Sequence, residues 1–193
     1  MDLSPRYKIC VSGAAETGSC GPDAFRVAED VGREIAKHNC VLVDGATTGF
    51  PFWSAKGCKE AGGLVVGFSP AATEKDHINV YKLPTDYHDI IVYTGFNYSG
   101  RNLLLTRASD AVVVGCGRMG TINEFTIAFE DGKPIGILEG DWETDETLRS
   151  LIEKSHRAEE RRDKIIFAKD PKTLLDKLVE AIKKEKDGNN HYL

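Results

Sequence analysis

The sequence predicts an α/β fold with a doubly wound parallel sheet of about seven strands flanked by helices. Short apolar runs rich in valine, isoleucine and leucine recur along the chain, and segments with helical periodicity separate them. The apolar runs do not alternate with polar residues, which is typical of parallel strands that helices cover on both faces. A length of 193 residues fits one domain, so we expect a single Rossmann-like domain over residues 1–193.

The predicted strands are short and lie between glycine-containing or polar segments. Apolar runs of this length, bounded by turn residues, favour strands over helices. They lie at residues 7–12, 40–43, 64–68, 89–93, 111–114, 134–138 and 165–168.

Helices fill most of the connections between these strands. The clearest begins at Pro171, because Asp170 is suited to cap it and apolar residues at 174, 175, 178, 179 and 182 form one face. From about residue 184 the polar tail is expected to fray. The other helices are predicted from residues 22–23 to about 38, from the turn at 44–49 to about 61, over 102–109, from 121 onwards, and over 144–158.

One connection, residues 69–88, is longer than the others and is predicted as a loop. Loops of this length in a compact domain are usually lids or interfaces. Its two histidines, His77 and His88, are expected to make polar contacts within the loop.

Composition excludes several functional classes. The net charge of −5, with 25 basic and 30 acidic residues, argues against a nucleic-acid binder, which needs a basic face. No apolar run approaches the roughly 20 residues of a membrane helix, and the first residues show no secretory signal.

The five cysteines are an odd number without a CxxC pair. We therefore expect a reduced, cytoplasmic protein whose cysteines act as small apolar residues.

Three glycine-containing loops follow predicted strands: SGAAETG at 12–18, DGATTG at 44–49 and GCGRMGT at 115–121. In a parallel sheet all three emerge at the same edge, where such folds bind ligands. The third loop opens a helix, so its N–H groups and the helix dipole suit a phosphate. There is no GK[ST] Walker motif and no GxGxxG dinucleotide motif. The predicted ligand-binding residues are Gly13, Gly45, Thr48, Gly115, Gly117, Arg118, Gly120 and Thr121. Among these, the backbone N–H groups of Gly117, Gly120 and Thr121 are expected to donate hydrogen bonds to the phosphate.

Two charged residues near the third loop are candidate catalytic groups. Glu124 lies one helical turn after the third loop. A carboxylate is not needed to bind an anion, so its presence there suggests that the site carries out a reaction. The alternative is that it only complements the helix dipole. Arg101 is flanked by Gly95, Asn97 and Gly100, which suggests a loop shaped for a ligand, although it could also reach from a helix end to solvent. The five histidines are scattered without HExxH, so neither a metal nor a cofactor is expected.

The segment CGRMGTINE at 116–124 resembles PGGxGTxxE, the signature of the LOG ("lonely guy") family, whose members are often mislabelled as lysine decarboxylases. Arg101 precedes it at the separation seen in that family. DGATTG is similar to the family's GGGxxG, and KEAGGLVVGFSP at 59–70 resembles its third strand.

This resemblance implies a Rossmann-like homodimer or higher homo-oligomer that holds a nucleotide 5′-monophosphate at the glycine loop. It further implies hydrolysis of the N-glycosidic bond to free base and ribose 5-phosphate. By position, Glu124 would be the acid/base residue and Arg101 its partner. A carboxylate would stabilise the oxocarbenium-like transition state, and the permanently charged guanidinium would hold phosphate or the departing base.

The sequence departs from the family pattern at four loop positions and at Asn102, where the family often has a lysine. Cys116 and Arg118 replace the proline and second glycine of the signature, while Asp44 and Ala46 replace glycines of the upstream motif. Arg118 would either fold onto the phosphate or fill the space of the ribose, and Asp44 would place a negative charge near the phosphate. These departures motivate the alternative of a non-catalytic binder or carrier of a nucleotide-derived or phosphorylated pterin ligand, as in molybdenum cofactor carriers. A DNA-handling relative is disfavoured by the acidic charge.

Overall fold

The computed structural model describes residues 6–189 and contains a seven-stranded parallel sheet. Its strands are β1 (Lys8–Ser12), β2 (Val41–Asp44), β3 (Leu64–Ser69), β4 (Ile90–Tyr93), β5 (Ala111–Val114), β6 (Ile135–Leu138) and β7 (Ile165–Ala168). Its helices are α1 (Ala24–Lys37), α2 (Phe50–Glu60), α3 (Glu74–Asn79), α4 (Asn97–Ala108), α5 (Met119–Glu130), α6 (Thr144–Lys154) and α7 (Pro171–Asn189), with a 3₁₀ turn at Glu159–Arg161. The predicted α/β fold class is confirmed.

The strand order is β4-β3-β2-β1-β5-β6-β7, and every pairing is parallel. Side chains of the central strands alternate between two cores. Ile9 and Val11 of β1 pack under α1, α2 and α7, whereas Cys10 packs under α4, α5 and α6. Because helices cover both faces, the strands are apolar throughout, which is why their sequences show no alternation.

The direction of chain progression reverses at β1, which pairs with β2 on one side and β5 on the other. The connections after β1 and β5 therefore cross to opposite faces, and a crevice opens between them at the carboxyl ends of the strands. This is the only reversal in the strand order of the described sheet. In sheets of this kind ligands bind at such a reversal, so the topology predicts a ligand site at this crevice.

Several element boundaries differ from the sequence predictions. Helix α4 begins five residues earlier than predicted, and α5 begins at Met119, so Gly120 lies in its first turn. The loop at 69–88 contains the short helix α3, and α6 ends at Lys154. Helix α7 extends to Asn189, with Ile182 buried and Lys186 paired with Asp110 at 2.9 Å, and the fraying of the tail from about residue 184 stays a prediction. Residues 190–193 of the predicted tail lie outside the described residues.

The prediction that all cysteines are reduced is wrong for two of them. Cys20 and Cys116 form a disulfide that joins the loop after β1 to the loop after β5. Their separation of 96 residues hid the pairing from the sequence, because only the meeting of the two loops at the crevice brings them together. Cys10, Cys40 and Cys58 are free and buried, as expected of small apolar residues, and burial raises the pKa of the Cys40 thiol to about 11.

Within residues 6–189, no helix combines the length and apolar character needed to cross a membrane.

The disulfide is expected to stabilise the fold, because the cross-link restricts the conformations of the unfolded chain and so lowers its entropy. For a loop of this length the contribution is about 2–5 kcal/mol, so a disulfide reductant should lower the thermal midpoint of the wild type. The double variant Cys20→Ser/Cys116→Ser should start lower and show no response to the reductant. Calorimetry with and without reductant checks this, and an equal response of both proteins would contradict it.

Candidate functional site

A cavity of about 200 Å³ occupies the crevice between β1 and β5. Its wall combines the ends of β1 and β2 with one face of α4 and the first two turns of α5. Seven residues predicted from the sequence line it: Gly13, Gly45, Arg101, Arg118, Gly120, Thr121 and Glu124. Seven further residues complete the lining: Val11, Ala14, Ala15, Thr47, Pro51, Tyr98 and Asn102.

Glu124 is held deep in the cavity and is 7% exposed. Its Oε2 accepts a hydrogen bond from the hydroxyl of Ser12, at the end of β1. The side-chain amide of Asn102, with its nitrogen toward the carboxylate, donates to Oε1 at 2.9 Å. Burial raises the pKa of Glu124, Asp44 adds to this rise, and Arg101 and Ser12 oppose it. The result is an oriented carboxyl group whose protonation is easier than that of an exposed glutamate.

Arg101 is a buried cation without a protein counter-ion. It is 5% exposed, its Nε has no hydrogen-bond partner, and no carboxylate within residues 6–189 lies within 4.0 Å of its guanidinium. Its Cζ lies 5.8 Å from the centroid of the Tyr98 ring. A buried charge left unpaired is costly, so its side chain is expected to meet an anion that enters the cavity.

Gly45 makes the position of Arg101 possible. A Cβ added to Gly45 would lie 1.4 Å from Nη1 of Arg101. The guanidinium therefore rests directly on the backbone of the turn after β2. A glycine is required here for close approach and not for an unusual backbone angle, which explains why this position of the DGATTG turn retains the glycine.

The first turn of α5 presents Gly120 and the nearly buried Thr121 to the same cavity. The positive end of the dipole of this 12-residue helix thus faces the space beside Arg101. A buried cation and a helix N-terminus on one cavity form a suitable environment for a phosphate group.

Three predicted ligand-binding residues do not line this cavity. The N–H of Gly117 donates to the Thr144 hydroxyl at 2.8 Å, so this group already has a partner within the chain. Gly115 donates its N–H to the Ser12 carbonyl, and Thr48 directs its hydroxyl to the Ala15 carbonyl at 3.0 Å. These hydrogen bonds hold the loops in place. Each joins two segments that are far apart in the sequence, so the spacing of the glycines does not predict it.

Arg118 lies at the edge of the cavity, and its position relative to a phosphate or a ribose stays a prediction. Its side chain is 57% exposed and pairs with Glu16 of the loop after β1 at 3.1 Å. It borders both the cavity and a second one of about 390 Å³, which Trp142 and Thr144 help to line. Arg118 therefore separates two adjoining cavities at the surface.

Asp44 is also placed differently from the expectation. It is fully buried and does not line the cavity; its Oδ1 accepts hydrogen bonds from the Ala46 N–H and from Nε2 of His88, each at 2.8 Å. Asp44 therefore does not contact the space for a phosphate, although its charge still acts on Glu124 in the cavity. No sequence signal connects His88 to Asp44 across 44 residues.

Sequence reasoning also missed Ser12, Tyr98 and Asn102 as groups that surround the charged pair. Tyr98 lies three residues before Arg101, one helical turn away, and this spacing would have predicted the contact had α4 been assigned from Asn97. Ser12 could have been identified as the last residue of a buried strand that enters the crevice. Asn102 adjoins Arg101, but its amide reaches Glu124 only once α4 packs on α5.

Comparison with known proteins supports the relationship inferred from residues 116–124. The model of the SLOG cluster4 family matches residues 6–175. A protein of Archaeoglobus fulgidus without an assigned function is 36% identical over 131 residues, which cover 68% of this chain and 81% of that protein.

Two solved structures illustrate the range of proteins with a similar fold. The molybdenum cofactor binding protein from Rippkaea orientalis is 25% identical, with a TM-score of 0.70 over 93% of this chain and 97% of that chain. DNA processing protein A from Streptococcus pneumoniae is 15% identical, with a TM-score of 0.65 over 89% of this chain and 61% of that chain, and this match shows the fold alone. The match to the family model spans nearly the whole chain and confirms the family resemblance. The chain belongs to the SLOG cluster4 family.

Proposed function

We propose that this protein binds a nucleoside 5′-monophosphate in the cavity between β1 and β5 and hydrolyses its N-glycosidic bond to free base and ribose 5-phosphate. The observation that carries the proposal is the meeting of Arg101 and Glu124 on one cavity wall. The first is a buried cation without a counter-ion among residues 6–189, and the second is a buried carboxyl group.

The phosphate would occupy the space between Arg101 and the first turn of α5. Arg101 supplies a full positive charge, and Gly120 and Thr121 lie at the positive end of the helix dipole. The hydroxyl of Thr121 is a further candidate contact. Because Arg101 is already buried and has no ion-pair partner in the described part of the chain, binding an anion there relieves an existing cost and requires no ion pair within that part to be broken.

Glu124 would act at the sugar. In its ionised form it stabilises the positive charge that develops at C1′ as the bond to the base lengthens. A water molecule then attacks C1′, forming a C–O bond as the C–N bond breaks, and Glu124 accepts a proton from that water. The base leaves with the electrons of the C–N bond and takes a proton from solvent. Ser12 and Asn102, which hold the carboxylate, fix its direction.

A second candidate function is a non-catalytic carrier of a phosphorylated pterin or nucleotide-derived ligand. The molybdenum cofactor binding protein from Rippkaea orientalis is similar in structure over 93% of this chain, which favours this candidate. The second cavity beyond Arg118 would give a larger ligand additional room. A role on DNA is not proposed, because the net charge is −5. The cytoplasmic location and homo-oligomeric state expected from the sequence stay predictions.

The decisive experiment is base release from a panel of nucleoside 5′-monophosphates. The variant Glu124→Gln keeps the size and hydrogen bonding of the side chain but removes its charge, so release should fall by at least about 100-fold. Glu130→Gln is the matched control, since Glu130 lies on the same helix but is exposed and pairs with Arg157. It should release base at the wild-type rate.

The pH dependence of the same reaction provides a second check. Because burial raises the pKa of Glu124, the rate should fall on acidification at a pH above the ordinary pKa of a glutamate. If the wild type releases no base from any nucleotide while one of them raises its thermal midpoint, hydrolysis is excluded and the carrier function takes its place.

Ligand binding is further expected to depend on Gly45. A methyl group in the variant Gly45→Ala would displace the Arg101 guanidinium, so affinity for ribose 5-phosphate should fall by roughly 10-fold or more, as for loss of a charged hydrogen-bond partner. Gly18→Ala is the control, because its added Cβ meets nothing within 4 Å. Calorimetric titration measures both, and equal affinities would show that Arg101 does not bind the phosphate.

A further inference from the structure

A buried histidine–aspartate pair lies behind the cavity wall, outside the machinery described above. His88 stands just before β4, and its side chain and that of Asp44 are both fully buried. Nε2 of His88 lies 2.8 Å from Oδ1 of Asp44, and Nδ1 lies 2.8 Å from the Asp86 carbonyl. Neither residue lines the cavity, so the pair does not contact a ligand directly.

The hydrogen bonds limit the charge states open to the pair. A carbonyl oxygen only accepts, so Nδ1 of His88 carries a proton. Nε2 and Oδ1 of Asp44 lie 2.8 Å apart and share one further proton, and with that proton on Nε2 the ring is an imidazolium that faces a carboxylate. The raised pKa of His88 favours this arrangement.

The fold provides a dedicated space for the imidazole. A Cβ added to Gly67 of β3 would lie 2.7 Å from Cδ2 of His88, so the ring packs directly on the strand backbone. A buried ring of this size, seated where the neighbouring strand has no side chain, cannot move far from Asp44.

The pair is connected to Arg101 through the turn after β2. Asp44 holds the N–H of Ala46, whose φ of 46° lies in the left-handed region that alanine seldom adopts. Gly45, between these two residues, is the surface on which the Arg101 guanidinium rests. Any change in the position of Asp44 would therefore move the support of Arg101.

The charge of Asp44 also reaches the cavity. It contributes to the raised pKa of Glu124 and to that of the Cys10 thiol. Unless neutralised, this charge would attract Arg101 and repel a phosphate. Asp89 on the same segment also acts on His88, but its carboxylate is paired at 2.6 Å with Lys59 of α2. His88 is thus the group placed to neutralise Asp44.

We propose that His88 is a positioning residue of the ligand site: as an imidazolium it neutralises Asp44, fixes the turn that supports Arg101, and leaves the Arg101 charge for the phosphate of the ligand. The inference rests on the phosphate-binding part of the proposed function. His88 would influence the ligand through Asp44 and would not contact the ligand itself.

The inference predicts a pH dependence of binding with a defined sign. Burial opposes the charged form of His88, but Asp44, the Asp86 carbonyl and Asp89 together outweigh it and raise the pKa of His88 above its ordinary value. Affinity for a phosphate is therefore expected to be full below the ordinary histidine pKa of about 6.5 and to fall as the pH rises through the higher pKa of the folded protein. The contribution of the pair to folding stability is lost over the same range.

The test is calorimetric titration of ribose 5-phosphate between pH 6 and 9. In His88→Gln, Asp44 is left without its cation, so Kd at pH 7 should rise by about 10-fold, the equivalent of one pKa unit of interaction, and the decline above pH 7 should disappear. His38→Gln is the matched control. His38 forms the same arrangement between α1 and α7, with Nε2 2.9 Å from Asp176 and Nδ1 2.8 Å from the Glu34 carbonyl. Its loss should leave Kd unchanged.

A second variant separates charge from packing. Asp44→Asn can still accept the Ala46 N–H but has no charge to neutralise, so it should bind ribose 5-phosphate as tightly at pH 9 as at pH 7. In the ligand-free protein its His88 pKa, followed by NMR, should fall relative to the wild type. An unchanged His88 pKa, or wild-type binding by His88→Gln, would overturn the inference. Absence of phosphate binding by the wild type at any pH would overturn the proposed function and this inference with it.

Discussion

The pairing of β1 with β2 on one side and β5 on the other is the constraint on which the rest of the structure depends. Parallel pairing brings the carboxyl ends of all three strands to one edge, and the reversal of chain direction sends the following loops to opposite faces. The crevice between them opens because these loops diverge from neighbouring strands. Ser12, Gly45 and the start of α5 meet there although they are distant in sequence.

Charges buried at this crevice oppose folding and favour binding. Arg101 has no counter-ion in the part of the chain that the structure describes, and burial raises the pKa of Glu124, so both charges are less stable here than they would be at the surface. The surrounding elements compensate by holding them rigidly: Asn102 and Ser12 orient Glu124, and Gly45 supports Arg101. Groups held in this way need little reorganisation when a ligand arrives, which is the physical basis of electrostatic preorganisation.

The walls of the crevice are tied together by contacts that a ligand does not supply. The disulfide between Cys20 and Cys116 joins its two sides, and the backbone of Gly117 is bonded to Thr144. The glycine loop therefore depends on other segments of the chain for its shape. This explains how the site keeps an open cavity although Cys116 and Arg118 replace residues of the family signature: one joins the disulfide, and the other turns outward to Glu16.

The sequence by itself determined the sheet, the helix at 171 and the edge at which the cavity opens, because apolar periodicity, capping residues and glycine turns are local properties. It also proposed Arg101 and Glu124 as candidates through their spacing, and both line that cavity. Only the tertiary structure decided that Cys20 meets Cys116, that His88 pairs with Asp44, and that Gly117 and Thr48 are engaged within the chain. These contacts join segments far apart in the chain, and their partners depend on how the strands are ordered in space, which no local pattern encodes.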